Sequence, residues 1–562
     1  MGTRRILASI LEPFGYNRDT IASLLIALSG AATVLWQNAR LTVLWDVSYI
    51  LENASRIAAG QLPYRHFPFP YAPLTFFVQA LLIRLFGRVY WHHIAYAALA
   101  CALAGLLTFR IVRRLVPFAV AVMLTSPLVL LGSYCIVPHP FYDSDACLLL
   151  LALFAAMFVR DDSLLLGAAC ALPLLVKQNI GLAFAGAAIV LFALERRWRA
   201  AAGVVVGAGA IVALVAAAFG LGSYIQWTIR FAAERRLPPL AQQLAIYNDA
   251  TLWWWLALAG VALFARRARW LIALPWLWSE WRLFASDDPL EPEINLLRFW
   301  PLLIVLAIIV AARTRTTFPL FVIAAIQGAF LSQSTWGSTY GIWPLLVLLL
   351  AIVWQRLEAP LVPAVLVAVV MLHHGWLYVS QNQRLTYAKV AEGELHRSTL
   401  PALRGLEMRG PWLPDFEELV AWSDRHIPRD EAILAMPGED LFYFTTGRRP
   451  GFPVLMFDRT INPYTPQQIA TLAATHDVRW VIVKKRLQIN GEPMPELAAT
   501  LLRLRPRFSP VAELRDYEIL RRSGPPSSRF RRPTEKPVSS NVPDGDPVTL
   551  ESRNTVLPVT IQ

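Results

Sequence analysis

Charge and cysteine are both scarce in this chain. Only 16% of its 562 residues are charged while 56% are hydrophobic, and a single water-soluble core cannot hide that much apolar surface. The four cysteines, Cys101, Cys135, Cys147 and Cys170, lie in or beside apolar runs and lack metal-ligand spacing. Cys135 and Cys147 flank one loop and are near enough in sequence to pair, but they read first as membrane-embedded thiols. The nine histidines form no cluster, so nothing points to zinc. No internal repeat is visible, which weighs against a secondary transporter. No small-residue cleavage site follows the first apolar run, so it is expected to remain as an anchor. Acidic residues are fewer than basic ones, 39 against 52. The resulting charge of +13 would suit nucleic acid, but much of the arginine excess sits in short loops between apolar runs and is better explained by membrane topology.

What is present is a long series of apolar runs, near residues 19–38, 91–109, 115–134, 146–159, 163–176, 179–194, 200–219, 251–265, 270–284, 298–312, 316–332, 340–354 and 360–379. Several fall short of the roughly 20 residues that a perpendicular crossing needs, so tilted or broken helices are expected. Arginine clusters at 110/113/114, 196/197/199, 266/267/269, 313/315 and 356 recur after every second run. Placing them all inside, with Arg4 and Arg5, gives about thirteen crossings. The loops 39–90, 135–145, 220–250, 285–297 and 333–340 then face outward, as does everything after residue 380. Run 72–86 breaks this parity if it crosses, so it is assigned to the interface. Runs 163–176 and 179–194 must each cross, which brings Lys177 to the outer surface.

The expected fold is therefore an all-α polytopic membrane domain over 1–380 with an outer first loop at 39–90, followed by a small α/β domain over 381–522. In the latter, 412–424 and 465–475 read as helices, and 431–436, 479–484 and 516–521 as strands. Residues 523–562 are rich in Pro, Ser and charge and are expected to stay disordered.

Loop 39–90 carries the densest chemistry. Asp46 stands a few residues past the first run, where a carboxylate can meet both a lipid headgroup and a water-borne hydroxyl; it reads equally as a polar span end. Glu52 reads as a solvated helix face. Asp143 and Asp145, in PHPFYDSD, form a second outer acidic pair that could position a substrate or hold Mg or Mn with further oxygens. Lys177, with Gln178, is costly at membrane depth. Arg298 precedes an apolar run. His139, between two prolines, shapes its loop; Trp336 and Tyr340 read as interfacial anchors and Trp253–Trp255 as an aromatic belt.

The pattern Trp45-Asp46, Ala54, Arg56, Gly60, Pro63-Tyr64, Phe67, Tyr71 and Pro73-Leu74 resembles the first outer loop of GT-C glycosyltransferases. These are the multi-pass enzymes of the protein O-mannosyltransferase and aminoarabinose-transferase type, which take a sugar from a polyprenyl-phosphate donor. The resemblance extends to the Lys177-Gln178-Asn179 break, to SQSTWGSTYGIWPLL and to LFYFTTGRRPGF. It implies a GT-C-like fold, a bacterial cytoplasmic-membrane location, a lipid, glycan or protein acceptor, and Asp46 as catalytic base. Tyr64, Asp143, Asp145, Lys177, Gln178 and Arg298 are then candidates for substrate binding. A phosphate departs already anionic, so one carboxylate suffices to deprotonate the acceptor, with cations holding the developing charge. A transporter or a non-catalytic envelope-assembly protein remains the alternative, and among enzymes an O-antigen ligase or polymerase would place its key residues in a late outer loop.

Overall fold

The computed structural model describes residues 18–39, 44–158, 162–333, 337–381, 393–458, 460–485, 488–489, 492–493 and 495–523. Arg4, Arg5, Arg160, Trp336 and residues 524–562 of the expected tail lie outside the described residues. Helices dominate residues 18–381. Among the described residues five are long and apolar enough to cross a membrane: Arg18–Asn38, Tyr90–Leu115, Trp198–Phe219, Glu291–Thr314 and Leu361–Ser380. Six apolar segments of 10–17 residues join them, and the chain is a multi-pass membrane protein.

Shorter runs are broken where the sequence forces it. Run 115–134 divides into Phe118–Thr125 and Leu128–Leu131 at Pro127, which has no N–H to continue the ladder. Run 163–176 becomes helix Leu164–Ala169 and a 3₁₀ turn Leu172–Leu175 containing Pro173. This segment runs alongside the N-terminal half of Trp198–Phe219, where Gly167, Gly203 and Gly207 let the backbones touch. A Cβ on Gly167 would fall 1.9 Å from the Ala200 carbonyl oxygen, so only glycine permits the approach. Run 72–86 forms Leu74–Phe86, a helix of 13 residues spanning about 20 Å, and it packs on Leu44–Ala58.

Residues 393–523 form the expected α/β unit. Its main sheet has the order β3-β4-β8-β7, built from β3 (Ala432–Met436), β4 (Val478–Lys484), β7 (Phe508–Glu513) and β8 (Tyr517–Arg522). β3 and β4 are parallel, joined through helix Pro466–Thr475, while β4–β8 and β8–β7 are antiparallel. Alternation along β4 covers both faces: Val481 and Val483 enter the core beneath helices 466–475 and 495–504, and Trp480 and Ile482 face the larger core shared with the membrane helices. Two short pairs, β1 (Leu395–Arg397) with β2 (Glu407–Arg409) and β5 (Gln488–Ile489) with β6 (Glu492–Pro493), complete it.

This domain docks on the ends of the membrane helices nearest the first loop. The Asn38 amide donates to the Gly405 carbonyl (3.3 Å), and the Trp91 N–H donates to the Arg404 carbonyl (3.1 Å). Gln37 donates to the Val379 carbonyl (3.0 Å). Residues 37–38, 90–91 and 379 therefore share one end of the bundle.

Candidate functional site

Helix Leu44–Ala58 follows the first membrane helix and carries Asp46, half-buried, in its first turn. A carboxylate there is favoured by the helix dipole by about 0.3–1 kcal/mol. Trp45 packs on the core of the C-terminal domain and stacks on Tyr49 at 6.2 Å. Tyr49, one turn after Asp46, opens an aromatic nest with Phe69, Tyr71 and Phe76. Tyr64 borders this nest through Phe69, with a left-handed φ of 64° and its hydroxyl donating to the Tyr71 carbonyl at 2.5 Å. Phe69, Phe219 and Tyr224 enclose its ring. Its visible work is to fold the Pro-rich loop.

Tyr71 also lines a cavity of about 200 Å³. Lys177, Gln178, Asn179 and Thr228 make its polar end, and Leu182, Ile229, Leu237 and Leu331 make the apolar wall. Those four apolar side chains are 37–54% exposed, so the wall continues onto the surface of the protein. Gln178 is fixed by three bonds. Its amide nitrogen donates to the Pro70 and Thr228 carbonyls, each at 3.0 Å, and its oxygen accepts from the Ala72 N–H at 3.2 Å. It thereby ties the first loop to the cavity rim. The Asn179 amide donates to the Gly328 carbonyl (2.7 Å) and locks the next helix.

Lys177 is 6% exposed, buried rather than surface-lying. Its Nζ pairs with Asp143 Oδ1 and lies 5.2 Å from the Tyr142 ring centroid. Asp143 and Asp145 both occupy the first turn of Tyr142–Met157, but two residues along a helix point about 200° apart. The carboxylates consequently diverge. Asp145 accepts from Thr75 Oγ1 (2.6 Å), Tyr96 (2.7 Å) and Tyr134, in a nest of hydroxyls that satisfies it without any cation. The two acids of this D-x-D arrangement do not converge on one point, and among the described residues no group of three His, Cys, Asp or Glu is placed to hold a metal, so an Mg or Mn ion here would take one carboxylate and draw its further oxygens from substrate.

Arg298 stands apart from the cavity lining. Its Nε donates to Asp249 Oδ2 at 2.6 Å, and a terminal nitrogen lies 3.9 Å from Glu291, so its charge is matched at the mouth of another helix pair. Three smaller readings change. Glu52 is 2% exposed rather than solvated. Tyr340 is buried rather than interfacial, and the Trp253–Trp255 run divides, with Trp253 and Trp254 outward and Trp255 stacked on Phe299. His139 does hold its loop, donating from Nδ1 to the Pro140 carbonyl (2.9 Å). All four cysteines are free and buried, and Cys135 lies 3.8 Å from Cys101.

The sequence reading missed the partners of Asp145 and the role of Glu52. Thr75, Tyr96 and Tyr134 come from three separate segments, so no spacing announces them. Glu52 had a signal: Ser48, Glu52 and Arg56 recur every four residues and form one polar stripe on a helix.

No protein-family model matches this chain, and no curated protein matches it. Three solved structures are similar in part. ArnT from Cupriavidus metallidurans bound to undecaprenyl phosphate aligns over 92% of this chain and 98% of that one, at 13% identity and a TM-score of 0.45. The same protein in the apo state aligns over 88% and 97%, at 15% identity and 0.44. The Archaeoglobus fulgidus oligosaccharyltransferase in complex with zinc and sulfate aligns over 83% and 68%, at 12% identity and 0.43.

Proposed function

We propose that this protein is an integral membrane glycosyltransferase that moves a sugar from a polyprenyl-phosphate donor to an acceptor hydroxyl on the outer face of a bacterial cytoplasmic membrane. The observation that carries the reading is the cavity's make-up: an apolar wall that continues onto the exposed surface, ended by the buried cation Lys177. That is the profile of a phosphate on an isoprenoid tail, since each buried methylene contributes about 0.8 kcal/mol and the headgroup needs a positive partner. The first-loop pattern that resembles GT-C transferases supplies the remaining wall through Tyr71.

In this reading Asp46 is the base. It takes the proton of the acceptor hydroxyl as that oxygen bonds to the anomeric carbon, while the bond from that carbon to the phosphate oxygen breaks and polyprenyl phosphate leaves as an anion. Direct displacement inverts the anomeric centre. Lys177 holds the departing charge, and Gln178 keeps the loop and cavity rim in register. The inner arginine clusters support thirteen crossings with the C-terminal domain outside.

Asp46→Asn keeps the shape of the side chain and removes its basicity. Turnover of radiolabelled polyprenyl-phosphate sugars by purified protein should fall at least 1,000-fold, on the order expected for losing a general base together with its positioning role. Near-normal turnover by that variant would remove Asp46 from the mechanism.

A further inference from the structure

The C-terminal domain grips the helix that bears Asp46 along a single stripe. Ser48, Glu52 and Arg56 are spaced at i, i+4 and i+8 on Leu44–Ala58, which puts them on one face. Each is buried and each bonds to backbone of the segment 438–453. The Ser48 hydroxyl donates to the Gly438 and Asp440 carbonyls, at 3.1 and 3.0 Å. Both Glu52 oxygens accept, from the Tyr443 N–H (2.8 Å) and the Phe444 N–H (3.1 Å). A terminal nitrogen of Arg56 donates to the Pro453 carbonyl (2.8 Å), with its guanidinium 4.0 Å from the Phe67 centroid. Gln61, which accepts from Arg56 Nε, itself donates to the Pro450 carbonyl (3.3 Å).

The gripping segment is held rigid from its other side. Asp440 accepts from Trp412 Nε1 (2.6 Å), Tyr517 (3.2 Å) and Lys484 (3.4 Å), and Lys484 also pairs with Glu439 at 2.9 Å. Gly438 has φ +92°, and a Cβ there would meet the Leu455 carbonyl at 1.8 Å, so the turn tolerates no side chain. These groups leave the C-terminal ends of β3 and β4 as one satisfied network. Asp46 lies about 120° round the helix from the middle of the gripped face.

We infer that Ser48, Glu52 and Arg56 are positioning residues through which the C-terminal domain fixes the height and rotation of Asp46 relative to the donor cavity. This rests on the reading of Asp46 as the base. A looser grip leaves most of the cavity wall in place, because Lys177, Gln178, Leu182, Ile229 and Leu331 lie outside the gripped helix and its loop, and it lowers the rate of the bond-making step.

The test is steady-state kinetics of Glu52→Ala, Glu52→Gln and Ser48→Ala with a polyprenyl-phosphate sugar, alongside hydrogen exchange over residues 44–58. Glu52→Ala should lower kcat at least ten-fold with KM for the donor within two-fold, Glu52→Gln should recover part of it, and amide protection of 44–58 should fall in the same order. Unchanged kcat in Glu52→Ala, or an equal rise in KM, overturns the clamp. Should Glu52→Ala not fold, Ser48→Ala, which loses one hydroxyl, decides: a loss confined to kcat supports the inference and unchanged kcat overturns it. Asp46→Asn in the same assay separates the two claims. A dead Asp46→Asn with unimpaired clamp variants sinks the clamp alone, and a fully active Asp46→Asn removes Asp46 as the base, and the positioning role with it, while the transferase reading stands.

Discussion

Among single side chains, Lys177 and Asp143 have the most to lose. Burying two charges is expensive, and removing one partner strands the other at a cost of about 3–5 kcal/mol. Lys177→Met should therefore lower thermal stability in detergent by that amount, whereas Lys177→Met with Asp143→Leu should recover most of it, because two apolar groups need no desolvation energy. Donor affinity distinguishes the pair's second role: both variants should lose at least ten-fold in binding of polyprenyl phosphate, measured by equilibrium binding, if the cation meets the headgroup. The sequence identified Lys177, Asp143 and Asp145 as costly charges because apolar surroundings are visible in one dimension. Which acid pairs with the lysine is settled by helix rotation, a three-dimensional matter, and the D-x-D spacing that invited a metal is the same spacing that sends the two carboxylates apart.

For helices and strands, the soluble part was the easier to read. Alternation and turn residues placed β3, β4 and β8 within about a residue of 431–436, 479–484 and 516–521. The membrane part resisted in the short runs, where proline and glycine rather than hydropathy fix the breaks. Gly167 is the sharpest of these. Gly167→Ala should destabilise the contact between Leu164–Ala169 and Trp198–Phe219 by about 1–3 kcal/mol, the usual cost of overpacking, read as a lowered unfolding temperature. The same change at Gly186, where a Cβ meets nothing, should leave that temperature unmoved or raise it, since alanine suits a helix better. The stripe at 48, 52 and 56 was visible as a period, but a stripe does not say whether water or a distant domain covers it. Residues 390 positions apart have no signal in a single chain.

Across the protein as a unit, docking of the C-terminal domain should depend on pH. Burial pushes the Glu52 carboxyl up from its ordinary value to about 8, with Asp440 adding to the rise and the Tyr443 and Phe444 N–H groups and Arg56 opposing it. Tyr443 and Arg88 also face it across the junction. A carboxyl whose value is raised on docking binds its proton more tightly in the docked state, so docking is strongest at low pH and weakens as pH climbs from about 4.5 through 8. Amide protection factors over 44–58, with the base-catalysed intrinsic rate divided out, should then be lower at pH 9 than at pH 6, and Glu52→Gln should flatten that dependence. The Lys484–Glu439 pair will not mask it. Burial alone would lower Lys484, but Asp440 and Glu439 hold it above its ordinary range, so it stays charged throughout.

The matched ions at the head of the cavity have one more consequence. A vacant cavity whose lysine is already neutralised by Asp143 exerts little pull on stray chloride or inorganic phosphate in the surrounding fluid. Under the proposed function, only a visitor that brings hydrocarbon to fill the greasy wall recovers what it costs to prise the two apart, so selectivity for a lipid-tethered anion over a free one would be set before any sugar is recognised.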